Sequence, residues 1–200
     1  MSRLATFSLL ILLASSTWAV PIISGDGTET CNGGACVLIG EHIKWQPSST
    51  LTSGARWVSY ADTGVDGSTL AGFGSIMTVV EEFEVFADSY LHLDIWADDT
   101  AAVWLDAALL IAANMSQNVC ADGAIGCEPG ENGIVDQILA IGVHTLTFVV
   151  HQVGTYPDPK FNPFGLLYSG ELVAVPEPGS LGLLGAGLLG IAFARRKKTT

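Results

Sequence analysis

Several side chains in this 200-residue chain have types and spacings that could do chemistry. Asp94, Asp98 and Asp99 crowd into a short run, WADDT following LHLDI. Hard carboxylate oxygens gathered on a turn suit Ca²⁺. Asp is also a common turn former, because its side chain bonds its own backbone, and no D-x-D-x-D-G loop accompanies the three, so both readings stand. Trp45, Trp57, Trp96 and Trp104 are numerous for a domain of this size. Flat aromatic rings on a sheet face could stack on sugar rings, and Trp96 and Trp104 are expected on neighbouring strands; large aromatic rings equally fill a core. His42, His92, His144 and His151 could supply a general base. His144 and His151 are an odd number of residues apart, however, so a strand carries them to opposite faces. Glu81, Glu82 and Glu84 could give half of a glycosidase pair, but no second half is identifiable. The G-x-S-x-G elbow and the phosphate-cradling glycine loops are missing from the sequence, so no catalytic residue is assigned.

The elements that must position these groups read as strands. Cys36–Trp45, Ala55–Tyr60, Ile76–Phe86, Tyr90–Ala97, Ala102–Leu105, Leu109–Ala112, Val143–Val153 and Phe164–Val173 are rich in β-branched and aromatic residues, or alternate apolar with polar. Glu82 and Glu84 alternate with Phe83 and Val85, which puts the charges on one face. Asp98-Asp99-Thr100 interrupts as a turn and Asp106-Ala107 as a hairpin tip. A helix over Thr100–Ala113 competes, because Ala and Leu dominate there. Val135–Ile141 reads as a strand or one helical turn. About eight short strands with turn residues every 8 to 12 predict an all-β, β-sandwich cargo domain.

Both ends differ from this middle. Met1–Ala19 carries Arg3, an apolar run from Leu4 to Ala14 and small residues at Thr17 and Ala19, the pattern of a secretory signal peptide cleaved after Ala19. Residues 20–174 form the cargo, and 175–200 the tail. In the tail, Val175-Pro176-Glu177-Pro178 is extended by its prolines. An uncharged stretch, 179–194, follows, and then Arg195, Arg196, Lys197 and Lys198. An apolar helix ending in cations stops in a membrane with the cations on the cytoplasmic side. Sixteen residues make roughly 24 Å of helix, short of a bilayer core of about 30 Å. With Gly182, Gly185, Gly187 and Gly190 in it, the segment is a weak anchor, better suited to being handled by another protein than to serving as a permanent stem.

The formal net charge is −12. From Pro21 to Ala174 there are 19 acidic residues against Lys44, Arg56 and Lys160, so the cargo alone carries −16. Such a surface repels nucleic acid and anionic lipid. Export exposes Cys31, Cys36, Cys120 and Cys127 to an oxidising compartment, where an even count suggests disulfides. Of three connectivities, Cys31–Cys36 and Cys120–Cys127 are preferred, since each local pair brackets Gly-containing turn sequence. Zinc is the rival, but no His stands at ligand spacing beside either pair.

The order Pro176-Glu177-Pro178, apolar helix, basic cluster resembles the PEP-CTERM sorting signal. That resemblance implies export and recognition by an exosortase, an integral-membrane cysteine protease or transpeptidase of bacteria that make extracellular polysaccharide. WADDTAAVWLDAALL, then VHTLTFVVHQVG, then FGLLYSGEL resembles the galactose-binding-like jelly roll, over Leu91–Leu172. The family usually has Asn-Gly at the hairpin tip where Asp106-Ala107 stands. Together these resemblances imply an exosortase substrate, held transiently at the inner membrane and then in the cell envelope, cell surface, biofilm or extracellular matrix. Its cargo would be a non-catalytic carbohydrate-binding or structural module with extracellular polysaccharide as a partner, no nucleic acid, and no cofactor other than Ca²⁺. The alternatives are a secreted polysaccharide hydrolase and a plain membrane-anchored surface protein.

Overall fold

The structure, a computed structural model, describes residues 19–116, 124–155, 161–175, 182 and 185–189. The expected signal peptide before Ala19, Cys120, Pro176, Glu177, Pro178, Arg195, Arg196, Lys197 and Lys198 lie outside the described residues. Among those described, the fold is nearly all β. The strands are β1 Ala19–Ile23, β2 Thr30–Cys31, β3 Gly34–Ala35, β4 Val37–Leu38, β5 Val58–Ser59, β6 Ile76–Val85, β7 Ser89–Asp98, β8 Thr100–Leu105, β9 Ala108–Ile111, β10 Gly133–Leu139, β11 Gly142–His151 and β12 Gly165–Ala174. They make two antiparallel sheets. The first runs β10-β7-β12-β5-β4, with β1 also on β12; the second runs β3-β2-β6-β11-β8-β9.

Side-chain parity builds the core. Leu91, Leu93 and Ile95 on β7 and Leu166, Tyr168 and Leu172 on β12 face Met77, Val79 and Val85 on β6 and Leu146, Phe148 and Val150 on β11. Each set occupies alternate positions, as a two-residue period requires. Phe148 stacks on Tyr168 with ring centroids 4.7 Å apart. Glu82 and Glu84 are exposed on the outer face of β6, as their alternation predicts. The region 100–111, where helix and strand compete in the sequence, is a hairpin. Its tip is Asp106, at φ 54°, a left-handed conformation that Asp tolerates better than most side chains.

One expectation is corrected. Cys36–Trp45 is not one strand: only Val37–Leu38 pairs, and both residues are exposed. Gly40 passes too close to the Val65 backbone for any larger residue, and there the chain leaves the sheet to carry Trp45 inward. The Asp98-Asp99 turn stands where the sequence puts it and is buried, with Asp98 6 % and Asp99 4 % exposed. It is the corner at which the chain crosses from the first sheet to the second. Cys31 and Cys36 are disulfide-bonded to each other, closing the small β2–β3 hairpin. Cys127 is disulfide-bonded as well. Residues 182 and 185–189 are helical, and among the described residues no helix is long and apolar enough to cross a membrane.

Candidate functional site

The Asp98–Asp99 corner gathers several buried polar groups. The peptide joining the two residues is cis. Asp98 Oδ2 accepts a hydrogen bond from Trp45 Nε1 at 2.7 Å. Trp45 stacks on Trp57 at 4.1 Å, and Trp57 Nε1 donates to the Gln46 carbonyl at 2.9 Å. Asp99 Oδ2 accepts from the Val153 amide at 2.7 Å and from the Gly154 amide. Any Cβ at Gly154 would lie 2.5 Å from Asn162 Oδ1 and 3.2 Å from Asp99 Oδ2. The absent side chain therefore lets the Asn162 amide oxygen and the Asp99 carboxylate flank one spot. Gln152, two residues before Gly154, is 1 % exposed, and its Oε1 has no hydrogen-bond partner.

Burial pushes the Asp98 carboxyl well above the usual carboxylate range, and the adjacent Asp99 carboxyl adds to the shift. Two like charges held together out of water are unfavourable unless a proton or a cation joins them. The donors at this spot, two carboxylates and the Asn162 side-chain amide, are oxygen ligands of the kind that hard cations such as Ca²⁺ take. The residues present thus fit such an ion.

Of the three carboxylates singled out in the sequence, the structure brings Asp98 and Asp99 together and sets Asp94 apart. Asp94 lies on the outer face of β7, accepts from Asn132 Nδ2 at 2.6 Å and lies 3.6 Å from His92 Nε2. The two tryptophans proposed for stacking are also separated. Trp96 belongs to the first sheet and Trp104 to the second. Trp96 is 4 % exposed, sealed with Trp45, Trp57, Leu167 and Cys127 in a second apolar cluster, so it offers no face to a sugar. Trp104 is half-buried on β8, between Leu109 of β9 and Thr147 of β11.

Sequence reasoning missed a second acidic cluster. Asp26, Glu29 and Glu81 bring ligand atoms within 4.8 Å of one another. Their oxygens are engaged: Glu29 accepts from the amides of Gly25 and Gly27, and Glu81 accepts from Tyr168 Oη and Thr28 Oγ1, both at 2.8 Å. Thr28 Oγ1 is also 2.6 Å from Asp26 Oδ1. One hydroxyl proton cannot serve both acids at once, and burial raises the Glu81 pKa. Parity held the clue, since Glu81 shares the inward set of β6 with Met77 and Val79.

Each of two histidines sits between two acceptors. His92 Nδ1 is 2.7 Å from Asp136 Oδ1, and its Nε2 faces Asp94. His144 Nδ1 is 3.0 Å from Asp106 Oδ2, and its Nε2 is 3.0 Å from the Ala140 carbonyl. His151, as its odd separation from His144 requires, lies on the opposite face of β11.

Residues 174–198 match the PEP-CTERM protein-sorting motif, so the tail is a sorting signal of that type. No curated protein matches the chain. Among solved structures, a family 35 carbohydrate binding module from Clostridium thermocellum is 7 % identical, covering 78 % of this chain and 99 % of that one, with a TM-score of 0.41. A family 35 module from an environmental isolate is 9 % identical, with coverages of 78 % and 99 % and a TM-score of 0.38. The β-glucosidase of Kluyveromyces marxianus in complex with glucose is 12 % identical over 51 % of this chain, with a TM-score of 0.35; the chain spans 11 % of that enzyme's length.

Proposed function

We propose that the chain is exported, held briefly at the inner membrane by residues 179–194, and sorted by an exosortase that reads Pro176, Glu177 and Pro178. Arg195, Arg196, Lys197 and Lys198 keep the end of the tail on the cytoplasmic side. The cargo, residues 20–174, is a non-catalytic, jelly-roll-like module that binds extracellular carbohydrate with the help of Ca²⁺ at Asp98 and Asp99. The observation that carries the cargo reading is the pair of buried, abutting carboxyls beside the Asn162 amide oxygen. Asp98 and Asp99 would hold a divalent ion whose charge neutralises the pair, and the corner so fixed would support the surface that meets the sugar. The non-catalytic reading is supported by the histidines, two of which are engaged by carboxylates or a carbonyl. It is supported further by carboxyls that touch one another where a glycosidase would part them by about 5 Å or more.

The test is a glycan array probed with the full chain in detergent micelles, with Ca²⁺ or with a chelator. Retention on at least one polysaccharide with Ca²⁺, lost with chelator and in Asp98→Asn/Asp99→Asn, is expected. Retention that ignores both the chelator and the double substitution would remove the ion from the account. No retention on any glycan would remove the carbohydrate.

A further inference from the structure

One pole of the sandwich is apolar where a soluble domain is usually polar. The β6–β7 turn, the β10–β11 turn, the start of β1 and the end of β12 all meet there. Ser89 pairs with Leu139 on one side and with Ala174 on the other. Ala19 pairs with Val173, Gly142 pairs with Val85, and the Val175 amide donates to the Asp88 carbonyl at 2.8 Å. On this pole Phe86 is 79 %, Ile138 75 %, Ile141 68 % and Val143 61 % exposed. Val20 and Val175, also exposed, flank them. A shallow groove of about 540 Å³ opens at the same end, walled by Leu105, Leu110, Ile138 and Leu139. Isolated exposed apolar residues are ordinary, but several gathered at the one end from which the tail leaves mark a surface that meets something apolar.

The chain itself says what that is. After Val175, three residues lead to the uncharged stretch that begins at Gly179. The four residue steps from Val175 to Gly179 span at most about 14 Å. A tail seated in the bilayer therefore holds this pole, and no other part of the domain, at the lipid headgroups. The described basic residues, Lys44 and Arg56, lie on other loops. The pole's own charges are Glu84, Asp88, Asp106 and His144, so attraction to anionic lipid is not what would hold it there.

We infer that, before sorting, the domain docks through Phe86, Ile138, Ile141 and Val143 onto the outer surface of the membrane that holds its tail. The partner is the headgroup–acyl boundary of a zwitterionic bilayer. Docking fixes the orientation of the domain and keeps the short Pro-Glu-Pro segment pressed close to the membrane plane, where an integral-membrane enzyme works. This inference rests on the tail being inserted as proposed above.

The test uses the full chain in phosphatidylcholine nanodiscs for hydrogen exchange, and in sealed phosphatidylcholine vesicles for limited trypsin digestion. Trypsin reports insertion, through protection of Arg195–Lys198 when the protease is supplied on the domain side of sealed vesicles. Amides of 86–88 and 140–142 should exchange at least fivefold more slowly than in Phe86→Ser/Ile141→Ser/Val143→Ser, with loop 61–75 unchanged between the two. Phe86→Ser alone, at so exposed a position, leaves the fold intact and should give part of the effect. Protected basic residues with turn amides exchanging equally fast in wild type and variants would overturn docking and leave the tail reading standing. Digestion of the basic end from the domain side would overturn both.

Discussion

Tyr168→Phe isolates one buried hydrogen bond. The substitution keeps the ring, and with it the stacking on Phe148, and removes a single oxygen that donates to Glu81 Oε2 at 2.8 Å. Tyr168 is fully buried and Glu81 4 % exposed, so water cannot replace the lost donor. Losing a hydrogen bond to a neutral acceptor costs about 0.5–1.5 kcal/mol, and to a charged one about 1.5–3 kcal/mol. Which range applies depends on pH. Burial raises the folded-state pKa of Glu81, although the Thr28 and Tyr168 hydroxyls pull it down. The unfolded chain therefore ionises first as pH rises. Stability from this group is complete below the ordinary Glu value and is lost as pH climbs through the raised folded value. Removing Tyr168 Oη leaves ionised Glu81 with the Thr28 hydroxyl as its remaining side-chain donor. The cost of Tyr168→Phe should accordingly grow from about 1 kcal/mol in mild acid toward about 2–3 kcal/mol above the transition. Glu81→Gln keeps an acceptor and carries no charge, so it should flatten the pH dependence over the same window and match or exceed wild type above it. Urea unfolding of the three proteins at several pH values measures both effects. Tyr168→Phe within 0.5 kcal/mol of wild type at every pH, with an unchanged denaturant slope, would refute the reasoning.

Two further outcomes are expected. His144 lies between two acceptors, which only the imidazolium satisfies; the Ala140 carbonyl and then the Asp106 carboxylate raise its pKa, while burial lowers that of His151. An NMR titration should show His144 holding its proton to higher pH than His151. The stability that the His144 imidazolium contributes should be complete below the ordinary His value and lost as pH rises through the raised one, and the reverse order of titration would contradict the geometry. Gly170→Ala would drive a Cβ into the His92 carbonyl and the Leu93 backbone. Backbone cannot swing aside as a side chain can, so a loss of about 1–3 kcal/mol or more is expected, with Gly72→Ala, where nothing lies near, within about 0.5 kcal/mol of wild type. Thermal melts of the two variants check this.

What could be read in advance follows physical range. The long strands β6, β7, β11 and β12 were legible because each is a ten-residue run with one face against the core, and parity is a local property of sequence. The Asp106 hairpin tip and the Cys31–Cys36 pair were legible for the same reason, since their partners are near in sequence. Cys36–Trp45 misled because apolar residues there serve a second cluster outside the sheet, with Trp57, Trp96 and Leu167. A strand filling one core and a loop filling another are equally apolar on paper. The same cause hid the fate of Trp96, whose parity points outward and whose cover comes from loops far along the chain. The Asp98–Asp99 corner was half legible. The residue types suggested oxygen ligation, but Trp45 and Asn162 reach it from segments separated by dozens of residues.

The two functional proposals are tied together by the strands that join them. β7 begins at Ser89, beside Ala174 and the apolar pole, and ends at Asp98, beside Gly165. Ten residues at about 3.3 Å each put roughly 30 Å between the two ends. β12 runs the same distance in the opposite direction and delivers the chain to the tail. A domain docked by the pole at Phe86 and Ile141 therefore stands on the membrane with its oxygen-lined corner outward, at the far end of its own strands. Any polysaccharide engaged at Asp98 and Asp99 would meet that corner without competing with the enzyme at Pro176-Glu177-Pro178. Cutting the tail would then release the apolar pole and leave the corner unchanged. Sorting and binding could thus proceed in either order, and Ca²⁺-dependent binding by the uncut chain should match that of the cut form.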